Sequence, residues 1–239
     1  MSETALGPAV GSPDEPSEAV LRSFFGDRTD LARAFASHLA DTGVSRGLLG
    51  PREVPRLWSR HVLNCAAMAS LVPADARVVD VGSGAGLPGV VLALARPDLR
   101  VTLVEPLLRR VSWLEDVVGD LDLGSVSVVR ARAEELRGQT FDVATARAVA
   151  ALDRLAGWCL PLLREGGVLL ALKGRSAADE LVQAEPALRR LGAAGWAVRE
   201  VGSEVLDEPT TVVEVHKGSA PSVPSRGRPP RARSSRPRR

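Results

Sequence analysis

One stretch decides most of what this chain can fold into: Val78-Val79-Asp80-Val81-Gly82-Ser83-Gly84-Ala85-Gly86-Leu87-Pro88-Gly89. A short apolar run rich in valine reads as a buried strand, and here it empties into a turn in which alternate residues are glycine. Glycine adopts backbone angles that a Cβ forbids and lets a ligand approach the main chain. Pro88 suits the first turn of a helix. Strand, glycine turn and helix in this order form the nucleotide-holding corner of an α/β fold.

The rest of the chain repeats that grammar. Apolar runs at Arg77–Val81, Arg100–Val104, Val126–Val129, Phe141–Ala146 and Val168–Leu172 alternate with amphipathic helical stretches, which predicts a parallel sheet covered on both faces. Two last strands, Trp196–Val201 and Thr210–Val215, follow one another with only a loop between them and predict an antiparallel ending. The expected architecture is a mostly parallel, seven-stranded Rossmann-like sheet with a reversed last strand. Upstream, the apolar stripes Val20/Leu21/Phe24/Phe25, Leu31/Phe35/Leu39 after an N-cap at Thr29, and Arg52 through Trp58 to Met68 predict three helices. The expected division is an acidic, disordered N-terminus (1–17), a helical cap (18–72), the α/β core (73–217) and a disordered tail (218–239).

The glycine loop also satisfies the dinucleotide pattern GxGxxG through Gly84, Gly86 and Gly89, a weak match when taken alone. In a dinucleotide fold the first glycine follows the strand directly and the helix faces a pyrophosphate. Here Asp80 and Gly82 come first, and a carboxylate there would repel a pyrophosphate while attracting the ammonium of a methionine moiety. The next strand ends in Glu105, 23 positions after Gly82, an acid placed to accept from ribose hydroxyls in either nucleotide class. Together with the antiparallel ending, this favours a class I S-adenosylmethionine-dependent methyltransferase over a dehydrogenase, with Asp80, Gly82, Gly84, Gly86 and Glu105 as candidate cofactor residues.

Composition narrows the setting. The chain has no run of about 18 apolar residues and no leader-like start, so neither membrane spanning nor secretion is expected and the cytoplasm is. Cys65 and Cys159 sit in apolar helical patterns, which fits buried thiols, and no histidine or cysteine spacing suits a metal. Seven arginines from Arg226 to Arg239 lie in the last 22 residues without an acid, leaving the remainder net acidic. Such a tail either holds polyanions by counterion release or is a biased, dispensable terminus. The only lysines are Lys173 and Lys217, which draws attention to Lys173.

Beyond the glycine loop, Arg132-Ala133-Glu134-Glu135, Ala146-Arg147-Ala148, Ala171-Leu172-Lys173-Gly174 and the upstream Arg60-His61-Val62-Leu63-Asn64 together resemble the ribosomal RNA small subunit methyltransferase G (glucose-inhibited division protein B) family. The resemblance spans about residues 20–217. It implies methyl transfer to N7 of guanine 527 in the 530 loop of 16S rRNA, with cofactor contacts from Gly82, Leu87, Ala133, Glu134 and Arg147. Asn64 stands where aspartate is common and Ala133 where valine is.

Guanine N7 carries an in-plane lone pair, so it can be methylated without a general base, and alignment with electrostatic stabilisation should supply the catalysis. Arg147 and Lys173 end two neighbouring strands at the edge where α/β folds bind ligands. Arg147 is expected to bridge cofactor and RNA, and Lys173 to contact phosphate or the target base. His61 is read either as lining the pocket or as structural, Arg109 and Arg110 as a solvated helix face or as further phosphate contacts, and the tryptophans as core. Competing readings are a methyltransferase acting on another RNA base, a protein or a small molecule, and a non-catalytic RNA-binding ribosome-assembly factor.

Overall fold

The computed structural model describes residues 14–136 and 138–219; the residues before Asp14 and the terminal arginines lie outside it. Seven strands make one sheet: β1 (Arg77–Val81), β2 (Arg100–Val104), β3 (Val126–Val129), β4 (Phe141–Arg147), β5 (Leu163–Leu172), β6 (Ala193–Val201) and β7 (Thr210–Lys217). Their order is β3-β2-β1-β4-β5-β7-β6, and β7 alone is reversed, pairing antiparallel with both β5 and β6. Strand order turns back between β1 and β4, which opens a crevice at the carboxyl ends of the strands.

The two faces follow the two-residue period of a strand. Val78, Leu103, Val143, Leu170 and Leu172 point into one buried cluster with α4 (Gly89–Ala95) and α5 (Leu108–Asp120). Val79, Val81, Val104, Ala144, Ala146 and Leu169 point into the other with α6 (Leu152–Cys159) and α7 (Ala177–Arg190). On β4 the odd positions Val143 and Thr145 therefore face the first layer, and Arg147 continues that row.

The upstream helices α1 (Glu18–Phe25), α2 (Thr29–His38) and α3 (Leu63–Ala67) share that first cluster, where Leu21, Phe35, Trp58 and Met68 pack with Val78 and Leu103. These helices therefore share one apolar cluster with the sheet as well as with one another. Trp113 of α5 donates from Nε1 to Thr42 Oγ1 at 2.9 Å.

Three details differ from expectation. Residues 14–17 are tied down, since Ser17 caps α1, Glu15 pairs with Arg33 at 2.7 Å and Asp14 accepts from Ser59 at 3.0 Å. The third cap helix is broken into a 3-10 turn (Pro51–Arg56), a π turn (Leu57–Val62) and α3, because Pro55 offers no amide and blocks α-helical continuation. Thr29 begins α2 instead of capping it, and its hydroxyl donates to Gly26 O.

Candidate active site

A cavity of about 570 Å³ opens at the switch point, within the usual size range of small-ligand sites. Its floor is the loop after β1. Gly82 and Ser83 donate their amides to Val104 O at 2.8 and 3.1 Å, which folds the loop across the end of β2. Gly82 has φ +73°, and a Cβ there would sit 2.9 Å from Val149 Cγ2, so any side chain would both strain the turn and jam the loop after β4. Gly84 and Leu87 also line the cavity.

At the tip of β2 the buried Glu105 accepts from the amides of Gly84 at 3.1 Å and Leu107 at 3.0 Å, and Arg110 Nη1 lies 3.4 Å from it. These contacts fix the carboxylate at the cavity wall. Past β3, a 3-10 turn (Ala133–Glu135) brings Ala133 and Glu134 to the same wall. A nucleoside with a methionyl arm fits these residues: a fixed carboxylate for vicinal hydroxyls, a glycine floor open to close approach and a buried Ala133 beside them. Arg110 Nε, on the same wall, is buried without a hydrogen-bond partner, a donor that a ligand oxygen would satisfy.

The cap completes the enclosure through Leu48, Leu49 and His61. Arg147, at the end of β4, turns to the cap as its strand parity dictates. Its Nη2 meets His61 Nδ1 in a short contact, and its Nη1 lies 3.5 Å from His61 O and 3.6 Å from Cys65 Sγ. On its other side His61 Nε2 lies 2.9 Å from Glu53 Oε2. Burial and the Arg147 charge hold the imidazole below its ordinary pKa, against the pull of Glu53.

Three sequence candidates stand elsewhere. Gly86 does not line the cavity; it lies below the loop against Val90 and Leu114. Asp80 is fully buried beneath α4, where one carboxyl oxygen accepts from Gly89 N at 3.1 Å and Oδ1 has no partner. Its carboxyl is not part of the cavity lining, so the expected attraction for a methionine ammonium has no counterpart in the geometry. Burial pushes its pKa up to about 7. The folded protein therefore holds a proton that the unfolded chain releases near pH 4, and this group costs stability progressively as pH rises from about 4 to 7. Urea titrations across that range should show wild type losing stability relative to Asp80→Asn, with the gap constant above about pH 8. His61 titrates in both proteins and cancels from the comparison; parallel curves would contradict the assignment.

Lys173 also differs from expectation. Its ammonium turns under the loop after β4, donating to Ala150 O at 2.9 Å and pairing with Glu180 Oε1 at 2.8 Å. Glu180 Oε1 also accepts from Leu152 N at 2.7 Å. The clamp holds a segment in which Ala148 has φ +54°, a conformation that costs a non-glycine residue roughly 1 kcal/mol or more. A contact to RNA phosphate would require the ammonium to leave these two oxygen partners, so in this structure Lys173 supports the loop. Lys173→Met is expected to lower stability by about 1–3 kcal/mol through the unpaired Glu180 and Ala150 groups. Unchanged stability with weakened RNA binding would contradict that assignment.

Arg110, read as a solvated face, and Trp158, read as core, both line the cavity, while Glu53 and Val149 were not singled out. The five-residue offset of Arg110 from Glu105 is the one signal that was available; Glu53 and Val149 reach the site by tertiary packing. Arg109 is exposed, as expected. Both cysteines are free and buried, with burial pushing their thiols up. No helix of the described residues is long and apolar enough to cross a membrane.

Comparison with known proteins agrees with this geometry. The fold resembles those of a precorrin-6y C5,15-methyltransferase from Geobacter metallireducens (TM-score 0.50, 16% identity, 72% of this chain and 91% of that one) and an S-adenosylmethionine-dependent O-methyltransferase from Thermotoga maritima (TM-score 0.51, 18% identity, 66% of each chain). It is a class I methyltransferase fold, and the cofactor that goes with it is S-adenosylmethionine. In sequence the chain is 57% identical to the ribosomal RNA small subunit methyltransferase G of Renibacterium salmoninarum over 211 residues, 86% of this chain and 98% of the relative. It is 52% identical to that of Salinispora arenicola over 238 residues, 96% and 97% of the two chains. Residues 28–206 match the rRNA small subunit methyltransferase G family, so every residue that lines the cavity, Leu48, Leu49 and His61 included, lies inside the matched region and the chain belongs to that family.

Proposed function

We propose that this chain methylates N7 of guanine 527 in the 530 loop of 16S rRNA, in the cytoplasm, and that residues 18–72 act as a cap over residues 73–217. The observation that carries the reading is the cap side of the cavity, which presents the Arg147 guanidinium beside a histidine whose ring nitrogens are both engaged, by Arg147 and by Glu53. That arrangement offers donors to an acceptor base but no free proton acceptor from His61. It suits a nucleophile that has no proton to lose.

When bound, S-adenosylmethionine supplies an electrophilic methyl group. The chain's own residues bind and orient. Glu105 would accept from the ribose hydroxyls, and the backbone of Gly82–Ala85 and Leu87 would carry the methionyl arm. Ala133 and Glu134 border the adenine. Arg147 would donate to guanine O6 and leave the N7 lone pair free to accept the methyl group. Leu48 and Leu49 exclude water from the cofactor side.

Expression of this chain in a strain lacking its homologue tests the reading. 7-Methylguanine loses its imidazole aromaticity on borohydride reduction, so aniline should then cleave the 16S rRNA at the 530 loop. Cleavage elsewhere would point to another RNA base. No cleavage, with cofactor binding intact, would favour another acceptor or a non-catalytic assembly role.

A further inference from the structure

We propose that Glu53 and His61 form an acid-sensitive relay that positions the Arg147 guanidinium at the cavity, so that protonation of His61 releases Arg147 and stops methyl transfer. This rests on the reading of Arg147 given above.

Donors and acceptors fix the arrangement. A guanidinium carries only N–H donors, so His61 Nδ1, in contact with Arg147 Nη2, must be the accepting nitrogen. The ring proton then resides on Nε2 and is donated to Glu53 Oε2 at 2.9 Å. The relay thus fixes one tautomer of a neutral ring. A second proton would place an N–H against an N–H and a cation against a cation, and the contact would have to open.

The surroundings are built for this arrangement. His61 is buried and faces the cavity. Cys65, one helical turn further on, lies 3.6 Å from Arg147 Nη1, so two groups four residues apart hold the guanidinium from one side. The charged and titratable groups facing the ring are Arg147 from β4, Glu53 from the 3-10 turn, Arg60 from its own turn, and the neutral, buried Cys65. Glu53 is itself held by Arg56 Nη2 at 2.9 Å and Arg60 Nε at 3.5 Å. The same geometry that aims Arg147 keeps the imidazole neutral above its depressed pKa, and the device opens as pH falls below the ordinary histidine range near 6.5.

Two measurements test this. The first is imidazole ¹H–¹⁵N NMR on the full chain, which has three histidines. His61 should appear as the Nε2–H tautomer, titrate below its ordinary range, and move upward in Arg147→Met. An Nδ1–H tautomer, or a His61 charged at pH 7, would overturn the relay. The second is the pH profile of kcat for methyl transfer to 30S subunits at saturating cofactor and RNA.

Wild type should lose about tenfold per pH unit below an acid limb. His61→Asn keeps an acceptor near the Nδ1 position but has nothing to titrate. Its kcat should be about tenfold lower at pH 7.5 and flat where wild type falls. Glu53→Gln, on the partly exposed side, removes the charge that raises the His61 pKa and should shift the limb to lower pH. A merely structural role would lower kcat equally at every pH and leave the limb in place, which would refute the proposal. If no methyl transfer occurs at any pH, the methyltransferase reading fails, and the tautomer and titration still decide the relay.

Discussion

Arg147→Met is expected to lower kcat for methyl transfer to small-subunit rRNA by about 10²–10³-fold, the usual consequence of removing one preorganised donor from an active site. Methionine fills similar space with no donors. The loss removes the group that holds guanine O6 and leaves His61 Nδ1 without its donor, while Nε2 stays bonded to Glu53. The affinity for S-adenosylmethionine should change less than about tenfold, because Glu105, the glycine loop and the Ala133–Glu134 turn are untouched. Stability should change little, since no buried charge is left unpaired: the His61 ring left behind is neutral and still bonded to Glu53. Single-turnover kinetics, cofactor titration and thermal melting of the same preparation separate these outcomes. A large loss of cofactor affinity with kcat preserved would make Arg147 a cofactor ligand and nothing more.

Gly89→Ala is expected to cost about 3 kcal/mol, the upper end of the range for overpacking a core, and so to lower the melting temperature by roughly 6–12 °C. Gly89 opens α4 directly beneath the glycine loop, and its amide is the partner of Asp80. A Cβ there would lie 2.3 Å from Leu103 Cδ2, 2.7 Å from Asp80 Oδ2 and 2.9 Å from Asp80 Cβ. The Leu103 side chain would have to repack and Asp80 to shift, carrying the end of β1 and its loop with it. Gly157→Ala, in α6 where a Cβ meets nothing within 4 Å, should instead stabilise by up to about 1 kcal/mol. Urea titration of the pair checks both signs; equal stabilities would show that the floor of the cavity is more yielding than its packing implies.

Much of this molecule was legible in its sequence. The valine-rich runs marked the sheet, and two adjacent strands at the end marked the reversed edge, since no helix separates Val201 from Thr210. The glycine spacing marked the cavity floor and Glu105 its wall. What escaped were directions. The tip of a strand says that a residue is near the site, yet not which way its charged end turns: Lys173 bends to Glu180 and Ala150, partners set by α7 and the loop after β4.

Asp80 and Arg147 show the same limit from opposite sides. Both lie on the cap-facing row of their strands, but α4 roofs over Asp80 while the end of β4 leaves Arg147 at the cavity. In the cap, the apolar stripes located the helical segments correctly. The break at Pro55 follows from that residue itself, whereas the π turn across Leu57–Val62 is one that no single stripe encodes.

The measurement that bears most directly on the account is methyl transfer from labelled S-adenosylmethionine to 30S subunits prepared without this modification, using the purified chain. The rRNA is then digested and the labelled nucleoside identified by mass spectrometry. The account predicts 7-methylguanosine in the fragment carrying the 530 loop, and about 10²–10³-fold less of it per unit time with Arg147→Met. Label on an exocyclic amine or a pyrimidine carbon would contradict it, because those acceptors require a proton to be removed at a site where the His61 ring nitrogens are already engaged.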